Sequence, residues 1–195
     1  LSILSSVISA AILSGCGFES EQNVSEVEVT PLTGQFLDSA VGGINYRRTN
    51  INGEVTEGTT NADGSYDYVR GESIEFYVGE VNFPSVPAKS IITPLSFFGT
   101  DNPNAENVAN LARFLQSLDS DDNPENGISI SANAAAFATV NKDENDNPLT
   151  PEAFFSQSSQ DFANAVETWL GSATDSTRAT LVSYDDAVAH LVETL

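Results

Sequence analysis

Basic residues are scarce in this sequence. Seven lysines and arginines stand against 28 aspartates and glutamates in 195 residues, a formal net charge of −21. A field of that sign repels phosphate backbones and anionic head groups, which excludes nucleic acid as a partner. Histidine occurs once, at His190, so a zinc site built on two or three histidines is impossible within the chain. Cysteine also occurs once, at Cys16, which rules out a disulfide framework. There is no G-x-S-x-G elbow, no phosphate loop and no dinucleotide fingerprint. Paired carboxylates could serve a glycosidase, yet among so many acids no pair stands out. Together these absences lead us to expect a chain that is not an enzyme. Long apolar runs are missing as well. The uncharged stretch at residues 1–13 is too short for a hydrocarbon core of ~30 Å, which takes about 20 residues.

What is present is enough apolar material, 40% of residues, for one ordinary domain or two small ones. The acids are spread through loops and helix starts, as on a solvated surface. The opening stretch is rich in Leu, Ile, Val and Ala and then shifts to Ser14 and Gly15 before Cys16. It has the length of the apolar region of a signal peptide ending at a small-residue cleavage site. With no Met and no basic segment ahead of it, residues 1–15 are expected to be a signal peptide truncated at its N-terminal end. The bland alternative is a buried helix carrying an inert cysteine. Residues 16–33 contain four glutamates and no basic residue, and read as Cys16 followed by an acidic spacer.

The run Leu13-Ser14-Gly15-Cys16 resembles the lipobox of bacterial lipoproteins. That resemblance implies a thioether-linked diacylglycerol on Cys16, cleavage before it and acylation of the new amino terminus. The thiolate is the nucleophile such chemistry needs. Each buried CH₂ of an acyl chain contributes ~0.8 kcal/mol, so several chains make a lasting membrane anchor. In lipoproteins of two-membrane bacteria an Asp after the cysteine often retains the protein at the inner membrane. Gly17 stands there instead, which implies the outer membrane, on its periplasmic or surface-exposed side.

Residues 34–95 read as short strands. Gln35-Phe36-Leu37-Asp38 starts one, and Ile44-Asn45-Tyr46 starts another after the Gly42-Gly43 turn. Asn61-Ala62-Asp63-Gly64 is a hairpin signal with glycine available for positive φ. Ile74, Phe76 and Val78 alternate onto one face. Phe83-Pro84-Ser85-Val86-Pro87 must leave the sheet or run along its edge, because proline cannot donate to a ladder. The spacing suggests a small antiparallel sandwich. The run GTTNADGSYDYVRGESIEFYVG resembles prealbumin-like modules of the carboxypeptidase-regulatory type. GQFLDSAVGGINY, PAKSIITPL and NLARFLQSLDSDDNPENGI together resemble the N-terminal region of adhesin-like envelope lipoproteins of Gram-negative bacteria, over most of residues 34–128. That likeness implies location and architecture and brings no catalytic residues with it.

Residues 96–195 read as helical. Asn102 is a candidate cap with Pro103 at the first position, and Val108, Leu111, Ala112, Leu115 and Leu118 form one apolar face. Residues 132–140 are a shorter alanine-rich candidate. A helical region opens at Thr150-Pro151-Glu152, carries Phe154, Phe155, Phe162, Val166 and Leu170, and is expected to stop at Gly171. Ser183 and Asp186 pair as in a capping box, ahead of a face of Val188, Leu191, Val192 and Leu195. That pattern reaches the last residue unfinished, so the chain is expected to continue. The fold class expected is α+β, a small antiparallel prealbumin-like β-sandwich followed by a helical domain.

Three candidate sites remain. Oxygen side chains alternate at Asp119, Asp121, Asn123 and Glu125, as in a loop wrapping Ca²⁺, which takes six to eight oxygens. Pro124 and Ile130 occupy the glycine and glutamate places of an EF-hand, so it is not one, and a plain acidic turn is the other reading. A second, weaker acidic loop is Asp143-Glu144-Asn145-Asp146-Asn147. Tyr66, Tyr68 and Tyr77 could stack on a sugar, although aromatic strand residues usually pack. His190, beside the stripe of the last helix, reads as structural or surface. The function expected is a lipid-anchored envelope protein that binds a protein or glycan ligand, an adhesion-related module. The competing expectation is the anchored N-terminal part of a larger envelope enzyme or transport accessory protein.

Overall fold

A computed structural model describes residues 30–136, 142, 147–173 and 178–195. Cys16, the leader and most of the spacer lie outside the described residues, as do residues 143–146 of the second acidic loop. The fold is α+β. The first strand among the described residues, β1 (Leu32–Phe36), begins two residues before the expected start of the strand region at residue 34.

Two sheets face each other. In the larger, β3 (Asn45–Thr49) lies between β4 (Val55–Thr59) and β6 (Ser73–Val78), all antiparallel. Two short strands, β7 (Val81–Asn82) and β8 (Val86–Pro87), pair along the other side of β6. This is the edge position the prolines require. In the smaller sheet β1 is central, with β5 (Ser65–Tyr68) antiparallel on one side and β9 (Ile91–Ile92) parallel on the other. A further parallel pair joins β2 (Val41–Gly42) to β10 (Ile128–Ser129). Alternation sends Ile74, Phe76 and Val78 inward, as expected. Phe36 of the small sheet meets Phe76 of the large one with ring centroids 4.6 Å apart.

The turn at residues 61–64 forms, but it does not make a hairpin. Gly64 N–H donates to Asn61 O and Asn61 N–H to Ser65 O, while β4 pairs with β3 and β5 with β1. The chain crosses there from one sheet to the other. Gly64 has φ +75°, and a Cβ on it would lie 2.6 Å from Phe36 O and 2.9 Å from Val41 N. Only glycine fits that crossing.

Among the described residues five α-helices follow β9: α1 (Pro94–Phe98), α2 (Glu106–Ser117), α3 (Pro151–Phe155), α4 (Ser159–Ala173) and α5 (Tyr184–Thr194). Three details differ from the sequence reading. Asn102 caps a turn, accepting the Asn104 N–H on its side chain, and α2 starts later, after Ala105. Gly171 lies inside α4 and does not end it. On α5 the buried residues are Ala187, Val188, His190 and Leu191, whereas Val192 and Leu195 are exposed.

The expected boundary near residue 95 does not divide the core. Phe83, just after β7, packs against Phe36 and Phe97, and also against Phe114 of α2 and Phe155 of α3, at centroid distances of 5.4–6.3 Å. One aromatic core therefore runs from the sheets into the helices. Helix α2 lies in its midst, buried on every side from Val108 to Ser117. A helix with polar residues so placed must give each a partner. Asn110 Nδ2 donates to Phe155 O and Gln157 O, Arg113 Nε to Val182 O, and Ser117 Oγ accepts from Val182 N–H. These bonds tie the connections around α2 to it.

Candidate functional site

The loop after α2 is where a cation site was expected, and in the structure its carboxylates are taken up by donors of the protein itself. Asp119 is buried, accepting the Ser129 N–H on Oδ1 and the Asn123 N–H on Oδ2, both at 2.9 Å. Asp121 accepts the Asn123 N–H and the Asn126 side-chain amide. Glu125 turns away to α5. Asp119 and Asp121 thus meet at the Asn123 N–H, whereas the Glu125 carboxylate lies apart from them. Among the described residues no group of three or more His, Cys, Asp or Glu side chains could hold a metal ion. Asp119 instead staples the loop shut. Burial pushes its carboxyl above the usual range, with the Asp121 carboxylate adjoining it, while the Asn126 amide holds Asp121 below.

The tyrosines give no sugar platform either. Tyr66 and Tyr68 are buried between the sheets, and Tyr66 Oη donates to Lys89 O. The Arg47 guanidinium lies 4.6 Å from the centroid of the Tyr77 ring and covers it.

The constellation that the structure does assemble went unread in the sequence. It lies where α5 docks against the tight turn of residues 37–40. His190, 8% exposed, has Nε2 3.0 Å from Ser39 Oγ and Nδ1 3.4 Å from Glu125 Oε1. Ser39 sits at φ +55°, in the left-handed region that few non-glycine residues adopt, and its N–H donates to Thr194 Oγ1. Beside it Asp38 is fully buried. Among the described residues its carboxyl has one side-chain donor, Gln116 Nε2, at 3.3 and 3.2 Å from its two oxygens, and the same nitrogen lies 3.2 Å from Ala187 O of α5. Burial pushes the Asp38 carboxyl up to about 7, against the opposing pull of the Gln116 bond.

A cleft of about 350 Å³ opens beside this seam, with Gln116, Glu125, Arg178, Asp186, His190 and Glu193 on its walls. Arg178 is engaged there with Asp122, Nε 2.9 Å from Oδ1. Ser39, His190 and Glu125 stand in the order of a nucleophile–base–carboxylate relay. The described lining of the cleft takes in His190 and Glu125 but not Ser39. What the seam does on its own geometry is join three distant parts of the chain through groups that gain and lose protons.

Of these residues the sequence singled out His190, as structural or surface, and Glu125, as a candidate cation ligand. The signal for Asp38 and Ser39 would have been an acid and a hydroxyl closing a strand with no glycine or proline to make the turn. No protein-family model, curated protein or solved structure matches the chain.

Proposed function

We propose that the chain is a lipid-anchored module of the bacterial cell envelope, held at the outer membrane through Cys16 and acting by binding a protein or glycan partner. The observation that carries this reading is the run Leu13-Ser14-Gly15-Cys16-Gly17 at the end of an uncharged leader. The body supports it with apolar surface for a partner: Ile51, 96% exposed in the β3–β4 connection, and Val55, 57% exposed at the start of β4. Among the described residues no helix is long and apolar enough to cross a membrane.

The test is Cys16→Ala, expressed beside the wild type in a Gram-negative host fed labelled palmitate. Wild type partitions to the membrane fraction with label, and the variant is released unlabelled with its body folded. A variant that stays in the membrane pellet with label would end the proposal. A second reading, the anchored part of an envelope enzyme, draws on the Ser39–His190–Glu125 order alone. A fluorophosphonate adduct on Ser39 that disappears in His190→Gln would favour it over the first.

A further inference from the structure

Helix α5 is attached differently from the rest of the body. Its inward side chains Ala187 and Leu191 join Val108 and Ala112 of α2 and Val182 in a small apolar cluster that meets the aromatic core through Phe98. An element held by a small cluster opens at lower cost than the fold as a whole. The other fastening of α5 is polar and titratable. His190 reaches Ser39 and Glu125, Thr194 accepts from Ser39 N–H, and Gln116 bridges Asp38 to Ala187 O.

The geometry points to α5 as a pH-operated latch: the Gln116 amide shared between the Asp38 carboxyl and Ala187 O holds the helix on the turn at residues 37–40 while Asp38 carries a proton, and loss of that proton lets it swing open. This goes beyond the proposed anchoring and does not depend on it.

The donor count gives the reason. Gln116 has two amide hydrogens and faces three acceptors, the two Asp38 oxygens and Ala187 O. An ionised carboxylate with no other side-chain donor among the described residues draws both hydrogens to itself, at the expense of α5. A protonated Asp38 makes no such demand. The charged and titratable groups around the seam come from every element packed on α5. His190 contacts Ser39 and Glu125. Arg113 of α2 is committed to Val182 O, Asn110 and Ser159, and Arg178 to Asp122. On α5 itself Asp186 caps the helix with Ser183, Tyr184 donates to Asn104 O and Glu193 lines the cleft.

The sign follows. The closed helix keeps a proton on Asp38 up to about pH 7, whereas an opened, solvated Asp38 loses it near 3.8. Between those values the closed state binds more protons than the open one. Closure is therefore complete in acid and weakens up to tenfold per pH unit as pH rises, levelling off above about 7.

Amide hydrogen exchange on the full chain in detergent, expressed as protection factors so that the intrinsic pH dependence cancels, reads this directly. Between about pH 5 and about pH 8 the α5 amides should lose up to a hundredfold in protection. At each pH they should remain less protected than the amides of β3 and β6, which report global opening. Asp38→Asn should flatten the α5 profile. Glu125→Gln, a change in a side chain that is 70% exposed, should leave the wild-type slope in place, and if Asp38→Asn does not fold the wild-type comparison of α5 with β3 and β6 carries the test. A pH-independent α5, or α5 protection coinciding with that of the core strands, would overturn the latch. So would a wild-type slope retained in Asp38→Asn.

Discussion

Replacing Phe83 by alanine probes the way the two halves are joined. Phe83 is fully buried and touches the rings of Phe36, Phe97, Phe114 and Phe155, so it lies between strand-borne and helix-borne aromatics. Truncating a buried phenylalanine costs about 3–5 kcal/mol through lost transfer energy and the cavity left behind. Four edge-to-face neighbours, each contributing ~0.5–1.5 kcal/mol beyond area, place this site toward the upper end. For a chain of this size that lowers Tm by about 10 °C. Two probes follow the halves separately. Trp169 on α4 is the one tryptophan, and buried Tyr46, Tyr66 and Tyr68 dominate the near-ultraviolet signal of the sheets. In wild type and variant both should report one coincident urea transition with an unchanged slope. Two separated transitions, or a loss below roughly 1 kcal/mol, would refute the single core.

Two further substitutions test local claims. Asp119→Ala removes the acceptor for two backbone N–H groups inside the fold, which costs about 2–4 kcal/mol and loosens the loop to proteolysis. Millimolar calcium should leave the melting of both forms unmoved, and a calcium-dependent Tm lost in the variant would restore the cation site. Gly64→Ala forces a side chain into the left-handed region and against Phe36 O. It should destabilise by at least roughly 1–3 kcal/mol, whereas Gly53→Ala, also at positive φ but with open space around it, should cost less. Equal costs at the two sites would show that the close approach at Gly64 is immaterial.

The sequence revealed periodicity and little about partnership. Strand β6 was legible because Ile74, Phe76 and Val78 alternate, and the edge at Val86–Pro87 because proline withdraws a donor. The turn at Gly64 was legible as a turn, but whether its flanking strands pair with each other depends on distant chain, here β1 and β3. The parallel pairs β1–β9 and β2–β10 leave no local trace, since each strand is two to five residues long. The acidic loop is ambiguous in sequence for a related reason. Alternating oxygens look alike whether they face a cation or their own backbone amides, and Asp119 faces the amides. The seam of Asp38, Ser39, Glu125 and His190 joins residues up to 151 positions apart, beyond the reach of any motif.

The anchor on Cys16 is the central claim, and the mass of the amino-terminal peptide tests it most directly. The protein is purified from membranes of a Gram-negative host, digested and the first peptide sequenced by mass spectrometry. The account predicts that this peptide begins at Cys16, with a diacylglyceryl thioether on sulfur and an acyl chain on the α-amine. A peptide that carries an unmodified Cys16 preceded by Gly15 would contradict it.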